Sequence, residues 1–243
     1  MPQPAGTLRR EGARLVRLLA RSLGYDIRRK GVLGRTMADA CAQLRAGGFE
    51  PATVFDVGVG RGTPDLYAAF PKASFILVEP LREYDSILDR LAQQLKAIPV
   101  RAVAGSSQGT VRISVEGEGS SLLVTERERS REVPMVTLDC LRETHSLRGP
   151  FVIKADVQGG ELEVLAGAEQ VLCETEAVAL EVSLFSPRAG WPQFDDVLRS
   201  MARRDFVIYD FFGGHRRRDG ALAQIDIVFV KAAGRFRESH AYP

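Results

Sequence analysis

Short continuous apolar runs alternate with amphipathic stretches along most of this chain, and this alternation constrains its fold more than any other feature. The runs are rich in Val, Ile, Leu and Phe, as expected of strands that are buried on both faces of a parallel sheet. We predict seven strands, the last two forming a terminal hairpin: Thr53–Val57, Ser74–Glu79, Pro99–Ala104, Phe151–Asp156, Ala177–Leu184, Phe206–Phe211 and Ile225–Lys231. The pattern therefore predicts an α/β fold with helices covering a parallel sheet.

Two amphipathic stretches have the three- and four-residue spacing of helices with one apolar stripe. The stripes consist of Leu81, Tyr84, Leu88, Leu91 and Leu95 in the first stretch and of Leu162, Leu165, Ala168 and Leu172 in the second. Residues 110–115 (TVRISV) and 132–138 (EVPMVTL) interrupt the alternation. We interpret them as an inserted β-hairpin around a polar loop.

The composition predicts a soluble cytoplasmic protein. The chain has 243 residues, 45% of them hydrophobic, which is enough for one substantial core. No apolar run approaches the ~20 residues of a membrane span, and Arg17 and Arg21 interrupt the leucine-rich N-terminal run, so we expect no secretory signal. Cys41, Cys140 and Cys173 lack the spacing of a zinc site or a redox pair, so we expect a reducing compartment and no structural metal.

Positive charge is concentrated near the N terminus. Residues 1–35 contain nine Lys or Arg and two Asp or Glu, so they carry +7 and the rest of the chain carries −5 of the total of +2. We place a boundary near Gly34, between a basic helical extension (1–34) and a main domain (35–243). One side of that helix would carry Leu15, Leu18, Leu19 and Leu23. This basic helix could bind an anionic membrane or an acidic glycan. Alternatively, its leucines could pack on the main domain or on a second subunit of a homodimer.

A glycine-rich loop follows the first predicted strand. Asp56, Gly58, Gly60 and Gly62 form D-x-G-x-G-x-G, which differs from the G-x-G-x-x-G of dinucleotide-binding proteins. Glycines at the carboxyl end of a parallel strand allow a ligand to approach the main chain, and the next helix offers N–H groups to an anion. If the ligand is S-adenosylmethionine, the anion is the carboxylate of its amino acid part. Asp56 would then compensate the ligand's ammonium group directly or through water.

A carboxylate ends the second predicted strand. Glu79 stands where both ribose hydroxyls of a nucleoside could donate to it. An ordinary turn and a helix cap would explain either feature alone, but the two together predict a nucleoside cofactor. The predicted cofactor-binding residues are Asp56, Gly58, Val59, Gly60, Arg61, Gly62, Thr63, Glu79, Pro80, Ala104, Gly105, Ser106, Asp156, Val157 and Gln158.

Five ordered segments, FDVGVGRG, LVEP, TLDCL, IKADVQGGELEVLAGA and LEVSLF, resemble the FkbM family of S-adenosylmethionine-dependent methyltransferases. The resemblance covers about residues 50–231, and its most specific element is Lys154 to Glu161, similar to K-x-D-x-[EQ]-G-x-E. Two departures are the sequence GVGRG at 58–62, where many relatives have G-A-N-x-G, and Ser106, where an acid is frequent. The resemblance implies a seven-stranded Rossmann-like sheet whose last strand is antiparallel. It also implies O-methylation, often of sugars or natural products.

Methyl transfer to an alcohol needs a group that accepts the hydroxyl proton. We predict Asp156, Glu181 or His215 as this catalytic base, because each stands at a predicted strand end or in the last loop. Other roles are a helix N-cap for Asp156, a satisfied buried carboxylate for Glu181 and a solvated loop position for His215.

The substrate side of the site is predicted from three residues. Lys154 is expected to pair with Asp156 or Glu161 and so to shape the site. Ser120 and Ser121, in the inserted loop, match a G-S-S-L element of the resembled family and would face the substrate, or they are plain turn residues.

Magnesium bound by Asp156, Glu181 and Asp210 is possible but less favoured than a metal-free reaction, because no stretch has clustered ligand spacing. The residues Arg216 to Arg218 suggest that the acceptor could carry phosphate or carboxylate. Nucleic acid is disfavoured as a partner because the main domain is negative and shows no aromatic platform. We expect a small-molecule or glycan acceptor.

Two other functions stay open. A nicotinamide-dependent oxidoreductase or epimerase could use the same fold, but the chain lacks the dinucleotide glycine spacing and a Tyr-x-x-x-Lys pair. A noncatalytic cofactor-binding scaffold, with the basic extension recruiting a partner, is the other alternative. Binding of NADH would favour the first, and cofactor binding without any methylated product would favour the second.

Overall fold

The chain divides into two compact units, Met1–Gly34 and Arg35–Pro243. The structure, a computed structural model, describes residues 34–114, 130–187 and 189–238, together with Val16, Leu19, Ala20 and Leu23. In the first unit the described Val16, Leu19 and Leu23 are exposed. The other predicted stripe leucines of the extension, and the loop with Ser120 and Ser121, lie outside the described residues.

A seven-stranded sheet organises the second unit. The strands of the described residues are β1 Thr53–Val57, β2 Ser74–Val78, β3 Ile98–Val100, β4 Val103–Ala104, β5 Gly109–Ser114, β6 Ser130–Val136, β7 Phe151–Ala155, β8 Thr175–Ser183, β9 Phe206–Arg216 and β10 Leu222–Lys231. The main sheet has the order β3-β2-β1-β7-β8-β10-β9, and β10 is antiparallel to both of its neighbours. The predicted Rossmann-like α/β sheet with an antiparallel last strand is confirmed.

Helices cover both faces of this sheet. They are α1 Met37–Ala46, α2 Pro64–Ala69, α3 Asp85–Leu95, α4 Leu138–Thr144, α5 Glu161–Ala166, α6 Glu169–Cys173 and α7 Phe194–Ala202. Apolar side chains of α1, α2 and α3 pack on one face, and those of α4 to α7 pack on the other. Within the described ranges, every helix is too short or too polar to cross a bilayer.

The predicted strand Pro99–Ala104 is wrong, because the chain leaves the main sheet after β3. The short strand β4 instead pairs parallel with β6, and β6 pairs antiparallel with β5, which gives a second sheet of three strands. The break falls at Arg101, whose exposed guanidinium pairs with Asp85 and Asp89 on α3. The inserted hairpin β5–β6 itself was predicted correctly.

The second predicted helix is also corrected, since it splits into α5 and α6 at Gly167. A Cβ atom on Gly167 would lie 1.9 Å from the carbonyl oxygen of Gly105, so the helix reaches the backbone of the second sheet there. The Asp139 carboxylate then accepts hydrogen bonds from the backbone N–H groups of Gln170 and Val171 at 3.0 and 2.8 Å. These contacts end α5 and start α6.

Gly167→Ala should destabilise the fold, because the new methyl group has no space against the Gly105 carbonyl. Overpacking of this kind costs about 1–3 kcal/mol, which urea unfolding can measure. Gly34→Ala is the matched control, since a Cβ there meets nothing within 4 Å. Equal stability of the two variants would contradict the packing described for Gly167.

Candidate functional site

The glycine loop, residues 58–62, lies at the carboxyl end of β1. Gly58, Gly60 and Gly62 all have left-handed backbone conformations, with φ of +75°, +51° and +97°. A Cβ on Gly58 would lie 1.9 Å from the Asp156 carbonyl oxygen, and one on Gly62 would lie 2.9 Å from a leucine side chain. A Cβ on Gly60 would meet nothing within 4 Å. Packing therefore requires the first glycine and the left-handed backbone favours the third, whereas the middle one presents bare main chain to open space.

Glu79, the residue after β2, holds this loop in place. Its Oε2 accepts a hydrogen bond from the Gly60 N–H at 2.8 Å, and its Oε1 accepts one from the Leu81 N–H at 3.0 Å. Burial raises the pKa of Glu79, and the two N–H groups oppose this rise. Because a carboxylate has about four lone-pair positions, both oxygens can accept further hydrogen bonds. The glycine loop and the carboxylate after β2, which the sequence indicated as separate features, are thus joined by the hydrogen bond from Gly60 to Glu79.

A buried ion pair supports the loop from beneath. Lys154 Nζ lies 3.2 Å from Asp56 Oδ1 and donates a hydrogen bond to the Gly58 carbonyl at 2.8 Å. The Tyr67 hydroxyl donates to the other oxygen of Asp56, which has no exposed surface. Burial alone would lower the pKa of Lys154, but the Asp56 and Asp156 carboxylates raise it above its usual value, so the lysine is charged. Burial and the Asp56 carboxylate raise the pKa of Tyr67, which keeps the phenol protonated.

The roles predicted for Asp56 and Lys154 are corrected by this arrangement. Lys154 pairs with Asp56, not with Asp156 or Glu161, because Asp56 and Lys154 stand side by side in the parallel register of β1 and β7. Lys154 is 8% exposed, and its ammonium group faces this interior contact. Since Asp56 has no exposed surface, it supports the glycine loop from beneath.

Glu161 closes the turn that follows β7. Its carboxylate accepts hydrogen bonds from the N–H groups of Val157 and Gly159, at 3.2 Å and 3.1 Å. Burial raises its pKa to about 7. Gly159 has a φ of +93°, and a Cβ there would lie 2.8 Å from the Trp191 ring, so the turn packs tightly under this tryptophan. The indole N–H donates to Ser183 Oγ at 3.0 Å.

Three carboxylates, Asp156, Glu181 and Asp226, meet at the carboxyl ends of β7 and β8; we call them the acidic row. The Gln158 amide donates to Asp156 at 3.0 Å and to Glu181 at 2.8 Å, and the Gln224 amide donates to Glu181 at 2.9 Å. Burial, followed by the Asp156 and Asp226 charges, raises the pKa of Glu181 to about 9. Burial and Asp156 raise the pKa of Asp226 to about 7. The structure therefore brings together the predicted Asp156, Gln158 and Glu181.

His215 and Asp210 do not join this group. The strand β9 continues to Arg216, so His215 is exposed on the edge strand, and β10 separates it from β8. The predicted basic loop is therefore mostly strand. Asp210 forms an ion pair with Arg35, with 2.7 Å between Arg35 Nε and the carboxylate. The predicted combination of Asp156, Glu181 and Asp210 is thus corrected.

Sequence analysis missed Asp226. It is a lone acid in the apolar run IDIVFV, which is the signal that identified Glu181 in ALEVSLF. The register of β10 and β8 places it directly opposite Glu181. Among the described residues, no group of three or more His, Cys, Asp or Glu side chains is arranged to hold a metal ion.

The other predicted cofactor-binding residues have different surroundings. Gly105 donates its N–H to the Val136 carbonyl, and the Ser106 hydroxyl donates to Glu163. Ala104, Gly105 and Ser106 are therefore held by the second sheet and by α5, because the predicted third strand ends early. Val59 is buried, Arg61 is exposed, and Thr63, Pro80 and Val157 are partly buried.

The short helix α2 offers less to an anion than the sequence suggested. Pro64 has no N–H group, and the N–H groups of Leu66 and Tyr67 donate to the Thr63 carbonyl. The glycine loop and Glu79, rather than this helix end, therefore define the candidate binding crevice.

The sheet order, the glycine loop and the carboxylate after β2 define a Rossmann-like protein, in which ligands bind at the carboxyl edge of the sheet. The sequence matches the family model described as Methyltransferase FkbM domain over residues 56–208. Because this match covers more than half of the 243 residues, the chain belongs to the FkbM methyltransferase family. No curated protein matches it in sequence.

Several solved structures resemble the chain at low identity. Magnesium protoporphyrin IX methyltransferase from Synechocystis PCC 6803 with bound SAM is 14% identical, with 80% of this chain and 77% of that chain covered and a TM-score of 0.44. An rRNA methylase from Streptococcus thermophilus is 13% identical, with 83% and 99% covered and a TM-score of 0.46. The 1,6-didemethyltoxoflavin-N1-methyltransferase from Burkholderia thailandensis, with bound 1,6-didemethyltoxoflavin and S-adenosylhomocysteine, is 15% identical, with 95% and 92% covered and a TM-score of 0.41. The family match, not these distant likenesses, defines the class of the enzyme.

Lys154→Met should lower the free energy of unfolding by about 3–5 kcal/mol, because it leaves the Asp56 carboxylate buried without its cation. Adding Asp56→Asn to this variant removes the uncompensated charge and should restore part of the loss. Urea unfolding of both variants measures the effect. A double variant less stable than Lys154→Met alone would contradict the ion pair described here.

Raised carboxyl pKa values make the stability depend on pH. Glu161 and Asp226, with pKa values of about 7, and Glu181, with a pKa of about 9, keep protons in the folded chain that the unfolded chain has already lost. The free energy of unfolding should therefore fall as the pH rises from about 5.5 to about 8.5. Urea unfolding at constant ionic strength measures this slope.

Glu181→Gln should flatten that slope, whereas Glu50→Gln, at an exposed residue paired with Lys72, should leave it unchanged. Stability that rises across this pH range, or an unaltered slope in Glu181→Gln, would contradict the arrangement of the acidic row.

Proposed function

We propose that this methyltransferase binds S-adenosylmethionine in the crevice between the glycine loop and Glu79. We further propose that it methylates a hydroxyl of a saccharide, a glycoconjugate or a natural-product metabolite. The observation that carries this proposal is the contact between Gly60 and Glu79. It fixes bare main chain and a carboxylate side by side at the carboxyl edge of the sheet, with open space in front of Gly60.

The cofactor fits the residues of this crevice. Glu79 uses one hydrogen bond on each oxygen, so ribose hydroxyls can donate to the remaining lone pairs. The open side of Gly60 allows the amino acid part of a ligand to lie against the loop without meeting a side chain. When bound, S-adenosylmethionine supplies a methyl carbon that its sulfonium sulfur already activates.

The acidic row supports a hydroxyl acceptor. An alcohol becomes a good nucleophile only as its proton leaves, and a carboxylate of the acidic row can accept that proton. The amides of Gln158 and Gln224 lie among these carboxylates and supply donors and acceptors of the kind that bind sugar hydroxyls. Holding the acceptor in line with the methyl group contributes most of the remaining acceleration.

Isothermal titration calorimetry should show one S-adenosylhomocysteine site per chain, and Glu79→Gln should weaken its binding by about tenfold or more. Such a loss corresponds to one charge-assisted hydrogen bond of about 1.5–3 kcal/mol. Glu83→Gln is the control, because Glu83 is exposed and pairs with Arg131. Equal affinity of the two variants, with both folded by circular dichroism, would contradict the proposed crevice.

The acceptor is tested with methyl-labelled S-adenosylmethionine and an extract of the source organism. The labelled product should contain a methoxyl group by NMR. Label on nitrogen or carbon would overturn the hydroxyl assignment. Cofactor binding without any product would favour the noncatalytic scaffold.

A further inference from the structure

The antiparallel strand β10 brings Asp226 to the edge where β7 and β8 end. Ala155, the last residue of β7, pairs with Leu180, so Asp156 and Glu181 follow as neighbours on adjacent strands. Asp226 pairs with Glu181 across β8 and β10, and directly opposed residues of antiparallel strands share one face. The acidic row thus runs across three adjacent strands on one face of the sheet.

Hydrogen bonds distinguish the members of this row. Glu181 Oε2 accepts two amide hydrogen bonds, from Gln158 and Gln224, and Asp156 accepts one from Gln158. In contrast, no residue within 34–114, 130–187 or 189–238 donates a hydrogen bond to the Asp226 carboxylate. Asp226 is therefore the member for which neither oxygen has a donor among the described residues, so either of its oxygens can receive a proton.

The neighbouring strand makes space for this carboxylate. Gly213 on β9 has a φ of +57°, and a Cβ atom there would lie 2.2 Å from Asp226 Oδ2. Any side chain at this position would displace the carboxylate. Asp226 is also only partly buried, so an acceptor at the edge of the sheet can reach it.

From these contacts we infer that Asp226 is the general base of the methyl transfer, which rests on the function proposed above. A carboxylate oxygen of Asp226 accepts the proton of the acceptor hydroxyl, while a lone pair of the hydroxyl oxygen forms the new bond to the methyl carbon. The bond between that carbon and the sulfonium sulfur breaks, and its electron pair stays on sulfur as a neutral thioether. Asp226 ends the step as a neutral carboxylic acid.

The charges around Asp226 suit this role. Among the described residues, the charged and titratable groups that face it are Lys154 and Asp156 from β7 and Glu181 from β8, and Phe212 and Gly213 of β9 carry no charge. The pKa of Asp226, about 7, is near the value at which a base is both ionised and a competent proton acceptor. Burial and the neighbouring carboxylates raise the pKa of Glu181 further, to about 9, which favours its protonated form at neutral pH.

Asp226→Asn in the full chain should lower the rate of methyl transfer by about 100-fold or more, while the affinity for S-adenosylhomocysteine changes little. The assay uses tritium-labelled methyl groups of S-adenosylmethionine and the hydroxyl-bearing fraction of the source extract. Asp219→Asn, in the exposed turn between β9 and β10, is the matched control and should keep the wild-type rate. Asp226→Glu keeps a carboxylate but shifts its position. Its rate of methyl transfer should therefore still rise with one deprotonation, at a midpoint pH that differs from that of the wild type.

If Asp226→Asn does not fold, the pH profile of Asp226→Glu decides, and a midpoint identical to that of the wild type would overturn the inference. A folded Asp226→Asn with a rate within about threefold of the wild type would overturn it as well. In both cases the proposed function stands, provided that the wild type methylates a hydroxyl. Absence of hydroxyl methylation by the wild type, despite cofactor binding, would overturn the proposed function and the role of Asp226 together.

Discussion

The buried ion pair between Lys154 and Asp56 fixes the edge of the sheet on which the candidate site is built. Removing two charges from water is costly, and the fold compensates by giving each charge a second partner, Tyr67 for the aspartate and the Gly58 carbonyl for the lysine. The lysine thus connects β7 to β1 and to the first residue of the glycine loop. The conformation of that loop, and with it the position of Gly60, depends on this contact.

The candidate site has two halves that the sheet holds in different ways. On one side, Gly60 and Glu79 are joined through a backbone N–H, so the surface offered to a nucleoside is mostly main chain. On the other side, side chains from β7, β8 and β10 form the acidic row, in which burial and neighbouring carboxylates raise the pKa values of Glu181 and Asp226. The proposed cofactor half beside a titratable half for the acceptor suits an enzyme that aligns two reactants and removes one proton.

Local sequence signals predicted much of this structure. Local patterns of adjacent residues identify the apolar runs of β1 and β7 and the spacing of Gly58 and Gly60. The sequence alone therefore predicted these elements. Asp226 was missed because it meets Glu181 only when β10 inserts between β8 and β9, a pairing between distant parts of the chain. The partner of Lys154 was mistaken for the same reason, since the register of β1 and β7 decides it.

A crystal structure with S-adenosylhomocysteine tests this account most directly. We expect both ribose hydroxyls within hydrogen-bonding distance of Glu79 and the amino acid part of the ligand against Gly60, with the Lys154–Asp56 pair intact. A ligand bound elsewhere, or a glycine loop that is displaced together with a broken ion pair, would contradict it.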